Sequence, residues 1–171
     1  EDAAMPRPAP DAVIGLALEF ADDETRLMLM LGALAGLRRA EIAGVHSDHV
    51  TAEGLRVFGK GRKWRLVPLV PELRWELERV DGWAFPSTAR PGRPVTADYV
   101  ADRIEKVLPR PWTCHTLRHR WATRAYQATH DIRAVQEILG HASVATTQRY
   151  TAVAADQLRA TVMAARFDWS A

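Results

Sequence analysis

A chain of 171 residues, 47% hydrophobic and 26% charged, is long enough for one domain with a single core and too apolar for a disordered segment. Its net charge of +2 does not by itself mark a nucleic-acid ligand, and its one cysteine, Cys114, excludes an internal disulfide or a cysteine-built metal site. The longest apolar run, interrupted by Gly32 and Gly36, is shorter than the ~18 residues a membrane span needs, so no membrane association is expected.

Residues 4–10 carry three prolines and read as a linker from a missing N-terminal region. Asp11 is placed to cap an apolar helix over 11–20, and Asp22 or Asp23 a second over 24–35 that stops at Gly36. Three β-prone pieces follow, 49–51, 55–58 and 64–67, separated by glycines, and predict a small antiparallel sheet of three strands. Pro71 suits the first turn of a helix to about residue 80, and Thr96 caps another whose Val100, Ile104 and Val107 share one face. Helices then dominate over 115–129, 131–139, 143–149 and 154–166, with Ile132, Val135, Ile138 and Leu139 as a buried stripe. The fold class is α+β, predominantly α.

The basic residues are unevenly chosen. Of 23, three are lysine, and two of these, Lys60 and Lys63, fall in Gly59-Lys60-Gly61-Arg62-Lys63-Trp64-Arg65. In a chain that otherwise prefers arginine this points to a role arginine cannot fill, because a lysine can release a proton near neutrality when its surroundings allow. Two further stretches place titratable residues at fixed spacings within helical sequence: Cys114-His115-Thr116-Leu117-Arg118-His119, and Leu139-Gly140-His141 followed nine residues later by Tyr150. A tyrosine beside histidines and arginines is suited to attack on a phosphodiester.

Five blocks in order, Ala35-Gly36-Leu37-Arg38-Arg39-Ala40-Glu41, the Gly-Lys-Gly hairpin, His115-Thr116-Leu117-Arg118-His119, Leu139-Gly140-His141 and Tyr150, resemble the tyrosine recombinases or phage-type integrases over residues 11–167. The resemblance implies that Arg38 and Arg118 hold the scissile phosphate, Tyr150 is the nucleophile, His115 exchanges its proton, His141 hydrogen-bonds the phosphate and Lys60 protonates the departing 5′ oxygen, with Lys63 as a rival. Glu41 is expected to orient Arg38 or its helix, and His119 to be a buried structural partner. On residue chemistry alone, Arg38 also fits a surface arginine after a helix end, and the His115/His119 pair four apart also fits a metal pair; no third ligand is evident, and neither a metal nor a cofactor is expected. Arg39, Arg62, Lys63, Arg65 and Arg93 are expected to contact DNA.

The implied function is site-specific cleavage and rejoining of double-stranded DNA at attachment sites, for integration or excision of phage or other mobile DNA. It would proceed through a covalent 3′-phosphotyrosine without ATP, in the cytoplasm of a bacterial host at the nucleoid. A type IB topoisomerase shares the chemistry, and a non-catalytic DNA-binding relative is the other alternative. The resemblance implies an N-terminal DNA-binding domain, which these residues are not expected to include. Residues 11–171 would form the catalytic domain, with a tail helix near 154–166 packing on a neighbour in a homotetramer on synapsed DNA, or on its own domain in a monomer.

Overall fold

The computed structural model describes residues 8–59, 63–140 and 155–166. In chain order the described elements are α1 (Asp11–Phe20), α2 (Asp23–Ala35), α3 (Arg39–Ala43), a 3₁₀ turn (Ser47–His49), β1 (Leu55–Phe58), β2 (Trp64–Val67), α4 (Pro71–Leu77), α5 (Ala97–Val107), α6 (Cys114–Thr129), α7 (Ile132–Leu139) and α8 (Ala155–Ala164). Among the described residues helices carry the architecture, as the periodicity predicts, and the sheet is one hairpin; the helix expected over 143–149 lies outside them.

The core is organised around α2, which is buried on nearly every side and packs on α1, α4, α5 and α6. Asp22 starts it, its carboxylate accepting the Thr25 N–H at 2.9 Å, and Gly36 ends it in the left-handed region at φ 64°. Both are local signals. The approach of α6 depends on Gly32, where an added Cβ would lie 3.1 Å from the Leu117 side chain. Trp121 of α6 is fully buried, and its indole N–H donates to the Leu34 carbonyl at 2.9 Å, so the largest core side chain also satisfies its one polar atom.

Three local expectations give way to longer-range contacts. Pro10, not Asp11, occupies the position before α1; the Asp11 carboxylate instead receives Arg120 Nε at 2.9 Å and Arg124 Nη2, an ion pair that ties α1 to α6. The third strand does not form. Ser47–His49 coils into the 3₁₀ turn, with the Asp48 N–H bonded to His46 Nδ1 at 3.2 Å, and Thr51 to Gly54 closes a tight turn. Val50 is therefore left with a single bridge to Leu55, and the sheet is the antiparallel pair Leu55↔Val67 through Phe58↔Trp64. In α7, Val135, Ile138 and Leu139 are buried as predicted, whereas Ile132 is half exposed because it lies in the first turn, where Asp131 caps the helix.

Candidate active site

The site is built on the C-terminal end of α7. A helix leaves its last carbonyls without partners inside the helix, and here arginines from three distant segments supply donors. Arg65 Nε of β2 donates to the Ile138 carbonyl at 2.5 Å. Arg38 Nη1 and Arg118 Nη2 both donate to the Leu139 carbonyl, at 3.3 and 2.8 Å. Arg118 Nη1 also donates to the Gly36 carbonyl at 2.5 Å, so the turn that ends α2 helps aim the guanidinium of α6.

One carboxylate organises these cations. Glu41, in the first turn of α3, has a side chain only 4% exposed. It accepts from the Arg38 backbone N–H at 2.9 Å and Arg38 Nη1 at 3.0 Å, holding both ends of the residue that opens α3. It also accepts from Arg65 Nη1 and Nη2, each at 2.8 Å, the two-pronged geometry in which guanidinium and carboxylate match best. Arg118 Nη1 stands 3.8 Å from the same carboxylate. Among the described residues three guanidiniums face this one carboxylate, an excess of positive charge that suits an anion.

Burial sets the protonation states. It pushes the Glu41 carboxyl up, but hydrogen bonds from Arg65 and from the Arg38 backbone, together with both guanidinium charges, bring it below the ordinary value. Desolvation and the nearby Arg38 charge lower Arg118 to about 10, against the opposing pull of Glu41; it stays cationic at neutral pH. Burial raises the Cys114 thiol to about 11, and a thiol so protonated is not a nucleophile.

The remaining sequence-derived residues divide by place. His115 is exposed near the start of α6, one turn before Arg118 and on its side of the helix. His119 is half-buried rather than buried, since its position on α6 turns partly away from the core residues Leu117 and Trp121. Arg39 is exposed and pairs with Asp98 at 3.3 Å; Lys63 and Arg93 are exposed. Lys60, Arg62, His141 and Tyr150 lie outside the described residues. Among the described residues no group of three or more His, Cys, Asp or Glu side chains could hold a metal ion. None of their helices is long and apolar enough to cross a membrane.

The sequence matches the model of the phage integrase family over residues 13–157. The chain belongs to that family. It is 34% identical to tyrosine recombinase XerC 2 of Ralstonia nicotianae, in an alignment covering 91% of this chain and 53% of the relative. An integrase from mycobacterium phage Brujita has the same fold, with a TM-score of 0.84 and 26% identity over 99% of this chain and 60% of that one. So does the XerH site-specific recombinase bound to its difH substrate in a pre-cleavage complex, with a TM-score of 0.66 and 26% identity over 81% and 48% of the two chains. The chain spans about half the length of the curated relatives it matches.

Two features of this integrase-family site escape sequence reasoning. Arg65 is not a surface contact: its side chain is 10% exposed and its donors are engaged by Glu41 and the end of α7, a correction that no local pattern signals. Beside Glu41 lies an apolar cleft of about 360 Å³, with Val45, Val57, Trp64 and Trp83 among its walls. At its rim Trp64 stands 5.2 Å from Phe58 and 5.1 Å from the Arg56 guanidinium. Burial alternates along β1, with Leu55 and Val57 inside and Arg56 and Phe58 exposed, and the pleat so places Arg56 and Phe58 at that rim.

Proposed function

We propose that this chain is the catalytic domain of a site-specific recombinase that cleaves and rejoins double-stranded DNA through a covalent 3′-phosphotyrosine at Tyr150. Its setting is the integration or excision of phage or other mobile DNA. The observation that carries the reading is the convergence of Arg38 and Arg118, from segments 80 residues apart, on the Leu139 carbonyl around Glu41. Such a cradle suits the charge that builds on non-bridging oxygens when a phosphodiester becomes five-coordinate. The existence of a solved XerH complex with its difH substrate supports DNA as the ligand.

In this reading the Tyr150 phenolic oxygen attacks phosphorus, its proton passing to His115, while the P–O5′ bond breaks and Lys60 gives a proton to the departing 5′ oxygen. His141 and the two arginines hold the non-bridging oxygens. The phosphate ester is conserved in the bond to tyrosine, so reversal by a 5′ hydroxyl rejoins the strand without a nucleotide. The exposed Arg39, Lys63 and Arg93, with Arg62, supply phosphate contacts that set affinity rather than sequence. Residues 11–171 constitute the catalytic domain and 1–10 the linker into it. The enzyme works as a tetramer on synapsed attachment sites in the cytoplasm of a bacterial host.

A nicked suicide duplex tests the reading. Wild-type protein is expected to accumulate a covalent protein–DNA adduct, and Tyr150→Phe to bind the same DNA without forming one. An adduct persisting in the variant would remove Tyr150 from its role.

A further inference from the structure

The Arg65 side chain follows a path that two glycines keep open. A Cβ added at Gly59 would lie 2.8 Å from Arg65 Nη1, and a Cβ added at Gly140 would lie 2.9 Å from its Cδ and 3.1 Å from its Nη1. All three distances are below ordinary van der Waals contact. Gly140 also ends α7 in the left-handed region, at φ 65°, and Gly59 closes the hairpin by donating its N–H to the Lys63 carbonyl at 3.0 Å. The glycines of the hairpin block and of the Leu-Gly-His block, far apart in sequence, therefore border one guanidinium.

That guanidinium engages acceptors on two elements at once. Nη1 and Nη2 take both oxygens of Glu41, and Nε takes the Ile138 carbonyl. Glu41 in turn holds the backbone and side chain of Arg38. The contact chain runs from β2 through α3 to Arg38, with a branch to the end of α7 on which Arg38 and Arg118 both rest. Arg38 is the most open of the three arginines, its side chain 32% exposed, and it has the most freedom to leave its place if Glu41 shifts.

We propose that Arg65, on the recombinase reading above, is a positioning residue for strand transfer: threaded between Gly59 and Gly140, it clamps Glu41 and so sets the guanidinium of Arg38. It does not touch the phosphate. Lysine cannot replace it, because one ammonium cannot span both oxygens of Glu41 and the Ile138 carbonyl together.

The test uses this chain with Arg65→Lys, Arg65→Gln and Gly59→Ala, the last pressing on the guanidinium, and less closely on Glu41 Oε1 at 3.3 Å, while leaving Arg65 in the sequence. At saturating protein on the suicide duplex, Arg65→Lys and Arg65→Gln are expected to slow adduct formation at least about tenfold, with DNA Kd changed less than about threefold. Gly59→Ala should move the rate in the same direction. In an Arg38→Ala background, Arg65→Gln should add no further loss, since residues acting through one another are not additive. Losses that multiply, or a loss confined to Kd, would overturn the proposal. A second readout needs no activity: in a ¹³C titration the Glu41 carboxyl should move upward in pKa in Arg65→Gln, and an unmoved titration would also overturn it. Absence of any wild-type adduct would instead count against the recombinase reading, and the Glu41 titration would still decide whether Arg65 holds that carboxylate.

Discussion

Around α2 and α6 the interior is apolar, with Trp121 packed against the turn at Gly36 and its one N–H satisfied by Leu34. At the end of α7 the interior is nearly as closed, yet it holds a carboxylate and three guanidiniums. The first region gains from removing hydrocarbon from water. The second must recover the cost of desolvating ions through paired geometry, and an excess of cations there opposes folding. The two regions share Gly36, whose ring-side contact is Trp121 and whose carbonyl receives Arg118. A stable core thus holds up a site whose described cations outnumber its one carboxylate.

The largest effect should come from the apolar side. Trp121→Ala is expected to cost about 3–5 kcal/mol, as for other large-to-small core replacements, seen as a lower urea midpoint that sulfate restores only through its general salting-out effect. Glu41→Gln should cost about 3 kcal/mol, because removing the charge of one buried partner leaves the others uncompensated. Here sulfate should restore distinctly more stability than in Trp121→Ala, since it can stand among the guanidiniums. Equal recovery in the two variants would erase the distinction between the regions. Acid sharpens it further: the folded Glu41 carboxyl lies below its ordinary value of 4.5, so its contribution is complete above that pH and is lost as pH falls beneath it. In Glu41→Gln the acid limb of the stability profile should be shallower than in wild type.

The smallest effect tests the start of α2, away from both regions. Asp22 is lowered to about 2, chiefly by hydrogen bonds with Thr25 and also by the Arg103 side chain. Its side chain is 59% exposed, so Asp22→Ala should cost only about 0.5–1 kcal/mol, the lower part of the range for a lost cap. Adduct formation by the variant should match wild type.

Several features were legible from the chain because they are set by neighbours in sequence. The caps at Asp22 and Thr96, the stop at Gly36 and the β-prone run of β1 depend on contacts a few residues long, and local stereochemistry decides them. The pairing of Arg38 with Glu41 also spans a single helical turn. The order of the five blocks sufficed to indicate the family. Where Asp11 turned to Arg120, or Val50 kept only one bridge, a distant partner outcompeted the local one.

Sequence alone determined most of the described helices and which residue types the site commands, since periodicity, caps and motif order are written locally. Only the tertiary structure decided that Arg65 faces inward, that Gly59 and Gly140 flank one guanidinium, and that Arg38 and Arg118 meet on one carbonyl. The physical reason is that a buried ion's place is set by whichever acceptors the fold brings within hydrogen-bonding distance, and Glu41, Ile138 and Leu139 become neighbours only after the helices have packed.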